Sequence, residues 1–135
     1  MAKPQFQFNP TYISGVLPIF VKVSIGASGA PTLGTGAGAG EALGVTSVSG
    51  GTAASATGTY TFVLDGPVAK VLGASMIVQN AAGIPTVPFI GIKSFTAATN
   101  TLVLVTSDAD TPAATDPVNG DVLFITLFVK NTAGV

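Results

Sequence analysis

The side chains that could do chemistry are few, and most stand in one stretch. Asp108, Asp110, Asp116 and Asp121, with Asn119, all fall within "SDADTPAATDPVNGD", residues 107–121. Oxygen ligands gathered in this way are the kind that hold calcium. The spacing does not match an EF-hand loop, however, and Pro112 and Pro117 interrupt it. Asp and Asn also favour turns, because their side chains hydrogen-bond the backbone close by. Turn-making is therefore the main reading of this stretch. A metal site on Asp108, Asp110, Asp116 and Asp121 is the weaker one, and the expectation is no bound metal and no other cofactor.

The remaining inventory removes whole classes of function. Among 135 residues there is no His, Cys or Trp, and the five basic residues are all Lys. Thiol nucleophiles, disulfides, imidazole bases and the usual zinc ligands are all ruled out at once. Ser and Thr are plentiful, but an activated hydroxyl would need Lys or a carboxylate as its base. Paired carboxylates for glycoside chemistry would have to come from only six acids, four of them in one loop. The chain is expected not to be an enzyme. A net charge of −1 without Arg also argues against nucleic acid as a partner, because phosphate binding wants a basic stripe.

The Gly-rich run "GTGAGAGE", Gly34 to Glu41, superficially suggests a phosphate cradle. A P-loop ends in Gly-Lys-Ser/Thr so that the Lys and hydroxyl can handle phosphate and magnesium. This run ends in Glu41-Ala42, with no dinucleotide-binding helix after it. It reads as part of a flexible surface loop, residues 26–44.

The elements that must position these residues are strands. "GVLPIFVKVSI" opens the pattern, with Leu17, Ile19, Val21, Val23 and Ile25 on one face and Lys22 and Ser24 on the other. Pro18 cannot donate to a ladder, so this strand begins at an edge or a bulge. "LGVTSVSGG" is a short strand stopped by Gly-Gly. "ATGTYTFVLDG" alternates, with Tyr60, Phe62 and Leu64 set against Thr59, Thr61 and Val63. "PVAKVLGAS" places Val68, Val71 and Leu72 at helical spacing, which predicts about one helical turn before the strand "ASMIVQN". "VPFIGIKSF-TAATN-TLVLVTSD" reads as a hairpin. The whole predicts an all-β chain of about seven strands, mostly antiparallel, in one β-sandwich or small barrel-like domain. Residues 16–135 form that domain, and residues 1–15 an extended N-terminal arm.

Two strands are apolar on both faces. In "DVLFITLFVKN", Leu123, Ile125, Leu127 and Val129 point one way, and Val122, Phe124 and Phe128 the other. "TLVLV", 101–105, behaves in the same manner. One small domain has difficulty covering both faces of two strands, so a neighbouring subunit is expected over the second. Val122, Phe124 and Phe128 are the candidates for self-association. In the arm, "PQFQFNPTY" alternates Phe with Gln between Pro4 and Pro10, and Phe6, Phe8 and Tyr12 are the candidates for contact with a partner. The N-terminus has no apolar core of signal-peptide length, and no run approaches the roughly 18 apolar residues that span a bilayer. The expectation is a soluble protein made in the cytoplasm, with no membrane partner.

The stretch from Gly58 to Asn131 resembles small structural proteins of tailed-bacteriophage virions. The likeness rests on Gly58, Tyr60 and Leu64 in one strand, and on the irregular segment Asp65 to Leu72. It continues in the later hairpin, in Asp116-Pro117, and in a last strand ending in Lys130-Asn131. The resemblance implies a capsid decoration or cement protein on the virion exterior, often a homotrimer, that stabilises the head by bridging major capsid proteins. The alternative is a tail or fibre component binding a host receptor or glycan, for which only Tyr12 and Tyr60 offer tyrosine rings and no Trp is present.

Overall fold

The computed structural model describes residues 16–34, 42, 44–80 and 82–131. Phe6, Phe8 and Tyr12 of the expected arm lie outside the described residues, as does most of the Gly-rich run.

Among the described residues, eight antiparallel strands form two four-stranded sheets. The first sheet has the order β2–β1–β8–β5, from β1 (Val16–Ile25), β2 (Pro31–Leu33), β5 (Val68–Gln79) and β8 (Val122–Asn131). The second has the order β3–β4–β7–β6, from β3 (Val45–Gly51), β4 (Ala56–Leu64), β6 (Phe89–Thr96) and β7 (Thr101–Ser107). The chain is thus all-β and sandwich-like, as the alternating runs predict.

The core lies between the sheets and is built from the alternation itself. Ile19, Val21, Val23 and Ile25 of β1 are buried beside Leu123, Ile125, Leu127 and Val129 of β8. From the other sheet, Tyr60 and Phe62 of β4 and Leu102 and Leu104 of β7 meet them. Strand period 2 sends every second side chain inward, so each inner row is nearly pure aliphatic or aromatic. Pro18 sits where the sequence expects it. β2 pairs only with Val23–Ile25, so at Pro18 the strand has β8 on one side and no strand among the described residues on the other.

Two expectations are corrected. Part of the 26–44 stretch is not loop: residues 27–29 make a single 3₁₀ turn, and Pro31–Leu33 form β2, the strand missing from the count of seven. The helical turn over "PVAKVLGAS" does not form either, because Val68–Gln79 is one continuous strand. That strand carries two register shifts, between Val68 and Lys70 and between Val71 and Gly73. Each bulge adds a residue to one side of the ladder and displaces the apolar positions from period 2. The displaced positions mimic a helical repeat.

The crossing from β4 to β5 is pinned by Asn100 in the β6–β7 turn, a left-handed residue at φ 51°. Its carbonyl accepts the Leu64 N–H at 2.8 Å, and its side-chain oxygen accepts the Val68 N–H at 3.2 Å. Asn tolerates this conformation better than most side chains do.

Candidate interaction surface

The outer face of the first sheet is where the unresolved business of the sequence lies. Phe124 and Phe128 project there from β8, with Val122 half-buried beside them. Register places Phe124 between Lys22 of β1 and Ile77 of β5, and Phe128 between Pro18 and Gly73. Phe20 stands opposite Thr126, diagonal to both phenylalanines. Leu72 is exposed in the bulge next to Gly73. The exposures are Phe20 59%, Leu72 53%, Ile77 73%, Phe124 42% and Phe128 44%. Residues two apart on one strand and directly opposite on the next are neighbours, so these five form one patch.

The structure therefore places Val122, Phe124 and Phe128 together on the outer face, as the strand period requires. Phe20, Leu72 and Ile77 belong with them and were missed. Phe20 carried a signal, since it shares its parity with Lys22 and Ser24. Ile77 and Leu72 carried none, because the bulges of β5 hide which face each occupies. No strand of this sheet carries a carboxylate, whereas Lys70 and Lys130 stand as direct partners at the end where β8 finishes.

The second two-faced strand has a different fate. Leu102 and Leu104 of β7 are buried, and Val103 and Val105 are half-buried on the outer face. Around them stand Thr59, Thr61, Thr101, Ser94 and Ser49, which make most of that face polar, with Phe89 exposed at its end opposite Ser107.

The carboxylates of residues 107–121 are separated, each with its own task. Asp108 accepts from the N–H groups of Asp110 and Thr111 and from the Thr111 hydroxyl. The Thr111 bonds, backbone first, hold its carboxyl below the usual range. Asp116 accepts from the Thr52 N–H at 2.8 Å, the Thr52 hydroxyl, the Gly58 N–H at 2.6 Å and the Tyr60 phenol at 3.3 Å. Burial pushes its carboxyl up, but the Thr52 hydroxyl, the Gly58 and Thr52 amides and Tyr60 together outweigh it and hold the group down. Tyr60 is affected in the opposite sense. Burial first, then the charge and hydrogen bond of Asp116, push its phenol well above the ordinary value. The Tyr60 hydroxyl also lies 3.1 Å from the Gly29 carbonyl.

Close backbone approach makes this node possible. Gly29 has φ +68°, and a Cβ there would stand 2.5 Å from the Asp116 carboxyl carbon; Gly58 has φ +60°, and a Cβ there would stand 2.3 Å from the Thr115 nitrogen. Only glycine suits both demands.

Asp121 is 1% exposed and accepts from the Asn80 side-chain amide at 2.6 Å and the Val118 N–H at 3.1 Å. Asn119 is exposed in the turn beside it. Among the described residues, no three His, Cys, Asp or Glu side chains come together where a metal could sit. At the opposite end of the sandwich, a groove of about 270 Å³ is lined mainly by Leu17, Pro18, Pro67 and Val68, with Asp65 its one carboxylate. No helix among the described residues is long and apolar enough to cross a membrane. Comparison with known proteins returned nothing: no protein-family model, no curated protein and no solved structure matches this chain.

Proposed function

We propose that this is a non-enzymatic structural protein that works by docking. The virion exterior is its place of action, and it stabilises a capsid there as a decoration or cement protein. One observation carries the reading: a sandwich with a finished core leaves five large apolar side chains exposed on one outer face. An apolar patch of that extent is near the upper end of what a monomer exposes, and patches of that kind are often functional. The carboxylates agree with it, since Asp108, Asp116 and Asp121 satisfy their own loops and strands. Major capsid proteins are the partner we propose, and a homotrimer the assembly. Repetition over a particle would add avidity to each modest contact.

The receptor-binding alternative loses support in one respect. Of its two tyrosines, Tyr12 lies outside the described residues, and Tyr60 is 2% exposed with its hydroxyl engaged by Asp116. It offers no ring to a glycan.

Immunogold labelling of particles that carry this protein tests the reading. Uniform labelling of the head is the expected result. Labelling confined to the tail tip would favour the receptor reading, and unlabelled particles would sink both.

A further inference from the structure

Besides the five on the first sheet, Leu17, Ile84, Phe89, Ile92 and Val118 are exposed among the described residues, and of these Ile84 and Phe89 mark the corner where the chain enters β6. Phe89, at the start of β6, is the direct partner of Ser107, the last residue of β7, and Asp108 follows at once. Ile84 lies in the β5–β6 connection that leads to this corner, and Asp110 is exposed in the loop beyond Asp108. The corner is thus apolar and acidic. The sheet face is apolar and basic, with Lys70 and Lys130 side by side.

We propose that these two surfaces bind each other, so that the first-sheet face of one copy receives the Ile84–Phe89–Asp108–Asp110 corner of a second copy. Two observations select a second copy as the occupant. The first is charge. Opposing two such faces would join surfaces that carry Lys and no strand carboxylate, whereas face against corner brings Lys70 and Lys130 towards Asp108 and Asp110. The second is area. Three half-exposed phenylalanines, each with about half of the roughly 150–250 Å² of such a side chain still open, join Ile77 and Leu72 in an apolar patch on the order of 500 Å². A stable interface takes about 800 Å² per partner, and the polar rim of the same face makes up the difference. The contact joins unlike surfaces, so it closes into a ring or runs on as a filament. This deepens the self-association part of the proposed function and is independent of the virion part.

The test is a complementation. Ile77→Asp disables the face and leaves the corner, and Phe89→Asp does the reverse. Both side chains are exposed, so each variant should keep the wild-type far-UV spectrum and melting temperature. Phe20→Asp and Ile84→Asp serve as the second pair if either fails to fold. Native mass is measured by sedimentation from about 1 to 100 μM, the range in which micromolar contacts declare themselves.

The wild type should associate, and each variant should weaken association about 100-fold, as truncation of an interface hot spot does. An equimolar mixture should form a 1:1 complex, because one good face still meets one good corner. A wild type that stays monomeric throughout would overturn the proposal. So would Phe89→Asp associating as well as wild type, since the face would then pair with its own twin or with another surface. A mixture that remains monomeric would also overturn it. None of these outcomes depends on where the protein sits on a particle, so failure here is distinguishable from failure of the labelling experiment.

Discussion

The outer faces of the two sheets began with similar strands and ended differently. On the first sheet, β8 turns Phe124 and Phe128 outward, and its neighbours add Phe20 and Ile77. On the second, β7 turns out Val103 and Val105, and its neighbours add Thr59, Thr61 and Ser94 along most of the strand, with Phe89 at one end. Short β-branched side chains among threonines lie low on a pleated face and leave it wettable. Phenylalanines beside an exposed isoleucine do not. Two-facedness in one strand is therefore a weak sign of an interface; what decides it is the company across the ladder.

Four measurements would break or sharpen that contrast. The largest effect is expected within β8 itself, where Leu127 is wholly buried and Phe128 is not. Leu127→Ala should lower unfolding stability by about 3 kcal/mol, read by urea denaturation at low protein concentration. Phe128→Ala should cost under about 1 kcal/mol. An equal cost for the two would mean that the outer face is covered within the chain.

Asp116→Ala comes next. It strands the Thr52 and Gly58 amides and should cost about 2 kcal/mol. Association should be unchanged, because the node lies away from the face and Asp108 is held in its own turn by Asp110 and Thr111. A shift in native mass would instead tie the two regions together.

Smaller again is the difference in dye binding. A fluorescent apolar probe should bind the native protein, and Phe124→Asp should cut its signal by about a fifth, in proportion to the apolar surface removed. Thr61→Asp on the second sheet should leave the signal unaltered, and loss there would erase the contrast between the faces.

The smallest expected effect is on pH dependence. The Asp116 carboxyl is depressed in the fold. Its contribution to stability is complete above the unfolded carboxyl value, about 4, and is lost as pH falls through the lower folded value. Asp108 acts in the same direction. Melting temperature should hold from neutrality to about pH 5 and fall below it, and Asp116→Asn should flatten that acid limb. An unaltered limb would show that other carboxylates set it.

Much of the fold was legible because strand period is a local property. The inward rows of β1, β4, β7 and β8 could be read directly, as could the β6–β7 hairpin. β5 was half misread, because its two bulges convert a period of 2 into something resembling a helical turn. β2 was overlooked, because three residues in a Gly-rich stretch carry no periodicity and gain their partner from Val23–Ile25 of β1. Of the candidate surface, Phe124, Phe128 and Val122 were accessible from alternation. The remaining members needed the register that sets β1 and β5 on either side of β8.

The sequence by itself determined the chemistry available and the rows that form the core. Without His, Cys or Arg there is little to activate, and alternating Leu, Ile, Val and Phe can bury only as sheets. The tertiary structure decided what the acids do and which apolar face stays open. Asp116 finds Thr52 and Gly58 across 64 and 58 residues of chain. Asp121 finds Asn80 across 41. Contacts of that separation arise only when the strands have packed, because the hydrogen bonds that hold a carboxylate depend on where folded backbone comes to rest and not on the residues beside it.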